Sequence, residues 1–165
     1  MGIFMERIRR TVLVVAASVL TSCTTAYVEP EGANSGSITF VNDTDRIVGL
    51  QGFKVAGDCS GGRINFNKTG RLGTGERLTI KVRAGEPFSY FFLYNRISFP
   101  QIDYARQPVT FVPRVGDTYQ SDIIVRGNRY DVTVEQLAGK TRVPEPSARL
   151  RTWRTAMTES GSFCD

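Results

Sequence analysis

VTFVPRVGDTYQSDIIVRGNRYDVTVEQL, Val109 to Leu137, decides the fold class. In its last run, RYDVTVEQL (129–137), Tyr130, Val132, Val134 and Gln136 fall on one side of the chain. A helix brings its apolar residues round every third or fourth position, whereas a strand sends successive side chains to opposite faces. SDIIVR (121–126) and VTFV (109–112) precede it as two further apolar runs of strand length. Gly127-Asn128 stands alone between 121–126 and 129–137, and two such residues between apolar runs signal an antiparallel hairpin.

The same period continues upstream. SITFV (37–41) and IVGLQGFKV (47–55) flank the turn-forming Asn-Asp-Thr-Asp, and RLTIKVR (77–83) puts Leu78, Ile80 and Val82 on one face. FSYFFLY (88–94) is aromatic on both faces, with Phe88, Tyr90, Phe92 and Tyr94 opposite Phe91 and Leu93. Such a strand is either central and buried on two sides or carries an exposed ring patch. Gly-Gly, Gly-Glu-Pro and Pro-Arg-Val-Gly-Asp clusters separate the runs at the spacing of a sandwich. No long helical pattern occurs before residue 148, and no repeat of fixed period is visible. The expectation is an all-β chain, an antiparallel β-sandwich of about seven strands.

Phe111, Pro113, Gly116 and Tyr119 form a pattern that resembles the tyrosine corner of immunoglobulin-like and fibronectin-type-III sandwiches. The resemblance implies that the Tyr119 hydroxyl bonds to upstream backbone as the chain crosses between sheets, with Ile123 and Val125 packing inward after it. An immunoglobulin-like or a transthyretin-like sandwich is the expected architecture. The second is suggested by analogy with the small lipoprotein of the type VI secretion membrane complex.

The N-terminus points to location. Arg7, Arg9 and Arg10 precede a short apolar run, Thr11 to Leu20, and small residues follow. That is the layout of a secretory signal peptide, and the run is too short to span a bilayer as a stable helix. Either Met1 or Met5 serves as a start with this basic region intact. Leu20-Thr21-Ser22-Cys23 resembles a bacterial lipobox. The resemblance implies cleavage before Cys23, acyl chains on its sulfur and amine, and firm anchoring. Thr24 in place of Asp leans towards the outer membrane, with the domain facing the periplasm. Residues 1–22 are then a signal peptide, 23–36 a lipidated flexible tether, and 37–165 a single domain.

With Cys23 taken by lipid, Cys59 and Cys164 remain, and two thiols in an oxidising periplasm are expected to form a disulfide. Closing a loop of ~100 residues is worth up to about 4.7 kcal/mol in the chain-entropy model. It would tie the C-terminal tail back to the domain. The alternative is a reactive Cys59, whose surroundings Gly57-Asp58-Cys59-Ser60-Gly61-Gly62 resemble the nucleophile run of chymotrypsin-like proteases. The chain contains no histidine, so neither Ser60 nor Cys59 has an imidazole to take its proton. His-based zinc sites are excluded as well, and no metal or cofactor is expected.

Beyond residue 22 the chain carries 18 basic and 15 acidic side chains, about +3, and 14 of the cations are arginine. Arginine suits phosphate and carboxylate, but interspersed acids favour a solvated surface. In the tail, Arg149, Arg151 and Arg154 around Trp153 are a candidate partner-binding patch; otherwise Trp153 caps an open edge of the sandwich. Secretion removes most nucleic-acid roles. The expected function is a non-enzymatic, lipid-anchored binding or structural protein of the cell envelope, attached to the membrane and partnered by an envelope protein or cell-wall component. A periplasmic inhibitor of a cell-wall-degrading enzyme, as lysozyme-inhibiting lipoproteins are, is the alternative, though a basic domain is repelled by cationic lysozymes. A hydrolase built on a carboxylate pair is the third reading.

Overall fold

The computed structural model describes residues 25–98, 101–126, 129–158 and 160–165, and in them the period-two runs become strands. In chain order these are β1 (Thr25–Ala26), β2 (Ser35–Asn42), β3 (Val48–Val55), β4 (Ser60–Asn65), β5 (Arg71–Leu72) and β6 (Arg77–Arg83). There follow β7 (Phe88–Ser98), β8 (Gln101–Phe111), β9 (Thr118–Arg126), β10 (Arg129–Ala138), β11 (Thr141–Pro144) and β12 (Arg149–Leu150). One sheet has the order β1-β4-β3-β7-β8-β12, with β5 also pairing β3; the other runs β11-β10-β9-β2-β6. The described residues form no helix, so the chain is the expected all-β sandwich.

The antiparallel ladders carry most of the pairing. Strands β7 and β8 match from Phe88↔Phe111 to Ser98↔Gln101, and β9 and β10 from Leu137↔Thr118 to Arg129↔Arg126. The Gly127-Asn128 turn itself lies outside the described residues. Two pairings are parallel, β2 with β9 and β1 with β4. Parallel neighbours need a long crossover. Between β2 and β9 that crossover is the whole run from β3 to β8.

Among the described residues, twelve strands stand where about seven were expected. The sequence conceals β4 because Ser60-Gly61-Gly62 has the composition of a turn, and Gly61 and Gly62 do take φ of 74° and 96°. Strand β8 begins at Gln101 rather than Val109, and β11 is a short, fully exposed edge that no burial pattern marks.

Side chains from both sheets meet in one core. Ile38 and Phe40 of β2, Ile80 and Val82 of β6, Tyr119 and Ile123 of β9, and Val132 and Val134 of β10 face Val48, Leu50, Tyr90, Phe92, Val109 and Phe111. Fully burying one such side chain stabilises by about 1.5–3 kcal/mol. Phe40 is central, with ring centroids at 5.3 Å from Phe66, 4.9 Å from Tyr90 and 6.2 Å from Phe92. Gly52 makes room for Phe66: a Cβ there would stand 2.6 Å from the ring. The buried Tyr90 hydroxyl donates to Ser121 Oγ at 2.6 Å, so it is not stranded there.

The tyrosine corner is present. Tyr119 is fully buried, its hydroxyl accepts the Arg114 backbone N–H at 2.9 Å, and its ring lies 5.0 Å from Phe111. Gly116 turns the chain with φ of 77°, a conformation that favours glycine. Ile123 packs inward as expected, but Val125 is 39% exposed. It lies one inward step further along β9, opposite Tyr130 and beyond the buried cluster.

The segment expected to be a free tether is seated at its described start. Thr25–Ala26 pair with Ile64–Asn65, and the Tyr27 hydroxyl donates to the Lys81 carbonyl at 2.8 Å. The cause is Tyr27 itself: its ring packs edge-on at 5.3 Å against Phe66, and so removes apolar surface from water. Ser35–Gly36 already belong to β2.

Candidate functional site

Strand β7 resolves its own ambiguity by being buried on both faces. Phe91 and Leu93 point away from the inter-sheet core, into a second cluster with Phe53, Cys59, Phe163 and Cys164. The C-terminal tail roofs this cluster, and the Cys59–Cys164 disulfide, with Cα atoms 5.5 Å apart, pins the roof. Both cysteines are buried, at 0% and 2% exposed. Cys59 is therefore a structural half-cystine.

Backbone bonds zip the same turn to the tail. Phe163 N–H donates to the Cys59 carbonyl at 3.2 Å, and Ser162 Oγ to the Asp58 carbonyl at 2.8 Å. Ser60 Oγ donates to Asp58 Oδ1 at 2.6 Å, a bond that closes the turn. A carboxylate accepting from serine, in a chain without histidine, is not the Ser-His-Asp arrangement of chymotrypsin-like proteases.

The four candidate tail residues have separate fates. Trp153 is a roof tile, its ring 5.0 Å from Phe91 and 5.3 Å from Phe163, with the Arg106 guanidinium 4.7 Å above it. Arg151 Nε donates to the Asp165 carbonyl, and its Nη1 to the Gly57 carbonyl at 3.1 Å. Arg154 forms an ion pair with Asp165 at 2.7 Å, which holds that carboxyl below the usual range. The structure thus brings Arg151, Trp153 and Arg154 together with the chain end as a clamp. Arg149 is exposed on β12 and makes no ion pair with a described residue. Cys23 lies outside the described residues.

An open groove of about 670 Å³ lies beside the N-terminal segment, lined in part by Tyr27, Val28, Lys54, Val55, Arg83 and Phe88. Burial, and then the charge of Glu29, pushes the Tyr27 hydroxyl up to about 12. No group of three or more His, Cys, Asp or Glu side chains comes together among the described residues in a way that would hold a metal ion.

The feature that sequence reasoning missed is a charge division. Residues 60–83 hold six cationic side chains, Arg63, Lys68, Arg71, Arg77, Lys81 and Arg83, against the single acid Glu76. The rest of the chain from Cys23 onward holds 12 cations and 14 acids. This run comprises β4 and β5, both bordering β3, and then crosses to β6 at the edge of the other sheet, so it forms one flank of the sandwich. Tyr27 ties the flank together, since its N–H donates to Asn65 of β4 and its hydroxyl to Lys81 of β6. A charge count over a sliding window would have found it; a count over the whole chain averages it away.

Comparison with protein-family models, with curated proteins and with solved structures found no match to this chain.

Proposed function

We propose that this chain is a lipid-anchored, non-enzymatic binding or structural module of the bacterial cell envelope, held in the outer membrane and facing the periplasm. The observation that carries the reading is the pairing of Cys59 with Cys164. It consumes two of the three cysteines and leaves Cys23, in Leu20-Thr21-Ser22-Cys23, as the one thiol for lipid. The disulfide also fits an oxidising compartment. A sandwich in which a buried polar group serves to fasten turns suits display and binding rather than chemistry. Asn42 illustrates this, its Nδ2 donating to the Arg46, Leu72 and Gly73 carbonyls at 2.7–3.0 Å.

The test has two arms. Mass spectrometry of protein taken from membranes is expected to find an N-terminal Cys23 bearing acyl chains, and Cys23→Ala to release the protein from the membrane fraction. Crosslinking in intact cells is expected to capture an envelope protein with the anchored form and not with Cys23→Ala. An unmodified Cys23 on a protein that fractionates as soluble would end the reading.

A further inference from the structure

We propose that the basic flank formed by residues 60–83 rests on anionic headgroups of the bilayer, so that the sandwich stands edge-on against the membrane. This rests on the anchored reading above.

The first argument is reach. Thr25 is paired into the sheet beside Ile64, so the chain is already fixed to the flank two residues after Cys23. Two residues of extended chain span at most about 7 Å. An acyl-anchored Cys23 therefore holds β1 and β4 against the headgroup layer, within the Debye length of about 8 Å at physiological salt. A free tether through residue 36 would have left every side of the domain equally able to face the membrane. The seated Tyr27 removes that freedom.

The second argument is charge. Lys68, Arg71, Arg77 and Lys81 are all exposed and make no ion pair with a described residue, while Arg83 pairs with Glu86 at 3.6 Å and lines the groove beside Tyr27 together with Glu29 and Glu31. Towards the opposite edge Arg126 pairs with Asp131 at 3.3 Å, and Arg142 with Asp122 at 3.2 Å and with Glu135 at 3.5 Å. Cations on β6 alone would serve to guard an open strand edge against aggregation. That role does not account for Lys68, in the connection between β4 and β5, or for Arg71 on β5. Basic groups beside a lipid anchor gain partition on an anionic leaflet, each by roughly fivefold, and so favour the orientation that brings this flank to the headgroups.

Lysine footprinting provides the test. From Cys23 onward the chain has four lysines, and Lys140, in the turn between β10 and β11, lies by the edge opposite β6. Protein purified from membranes is placed in vesicles of phosphatidylcholine alone or with phosphatidylglycerol, and acetylation rates are read by mass spectrometry. Lys68 and Lys81 are expected to react at least about fivefold more slowly on the anionic vesicles. Lys140 should be unchanged, and roughly 0.5 M salt should abolish the difference. The doubly exchanged Lys68→Glu, Arg71→Glu protein, altered only at exposed positions, should keep its circular dichroism and lose the slowing at Lys81. Equal rates on both vesicle types, or equal slowing of Lys140, would overturn the proposal. The intact mass of the same sample reports acylation separately. An unacylated protein that still shows the footprint removes the anchor and keeps the surface, whereas an acylated one without it does the reverse.

Discussion

Tyr90 and Phe91 are neighbours on β7, at 0% and 1% exposed, yet they belong to different cores. Tyr90 faces the second sheet and is enclosed by inward residues of alternating strands, with its hydroxyl satisfied by Ser121. Phe91 faces outward and is enclosed by a tail with little regular structure, whose Trp153 has a buried indole N–H that finds no acceptor among the described residues. The first core is a product of ladder geometry, since correct strand pairing by itself brings the two inner faces together. The second exists because a covalent bond and a handful of polar contacts hold the roof down. Equal burial thus conceals unequal causes, and the two regions should fail separately.

The largest expected effect is in the first core. Phe40→Ala should cost about 3–5 kcal/mol, read as a fall in the urea midpoint, because the surrounding rings of Phe66, Tyr90 and Phe92 cannot collapse into the space. Next comes the disulfide. Reduction, or Cys59→Ser with Cys164→Ser, should cost about 2–4 kcal/mol. It should also act locally: Trp153 fluorescence shifts to the red while amide protection along β2, β9 and β10 persists. Simultaneous loss of both signals would break the distinction between the cores.

A smaller effect is expected at the corner. Tyr119→Phe leaves the Arg114 N–H without its acceptor and should cost about 1 kcal/mol in equilibrium unfolding, with the core otherwise intact. Tyr27 gives a pH signature. Its hydroxyl titrates near 12 when seated against an unperturbed value of 10.0, so seating is favoured below about pH 10 and that contribution is lost as pH rises towards 12. The difference in tyrosinate absorbance between the wild type and Tyr27→Phe should therefore develop near 12. A difference developing near 10 would show that the N-terminal segment is not seated. The smallest effect belongs to Trp153→Phe, which discards the unpartnered N–H along with some area; a change within about 1 kcal/mol is expected. A loss several times larger would mean that the roof is as tightly determined as the inter-sheet core.

Legibility in the sequence follows the same division. Alternation over 37–41, 77–83 and 129–137 discloses strands because each residue's facing depends on its neighbour alone. The tyrosine corner is readable because its donor and acceptor are five residues apart. Strand β4 is not, since its glycines carry no side chain to alternate. Nor is the fate of Arg151 and Arg154, which spend their guanidinium groups on a chain end 14 and 11 residues away.

By its order of residues alone, this protein is committed to an all-β sandwich and to a tyrosine corner at 111–119, and its start carries a pattern that resembles a signal peptide with a lipobox. These are short-range properties, set by period, turn chemistry and spacing. Only the tertiary structure decided that Phe91 faces a second core, that Tyr27 is docked rather than tethered, and that the cations of 60–83 line one flank. Each depends on groups far apart in the chain meeting in space: Cys59 with Cys164 on the outer face of one sheet, and Tyr27 with Lys81 and β4 with β6 between the two sheets. Strand pairing determines such meetings, and no local pattern encodes them.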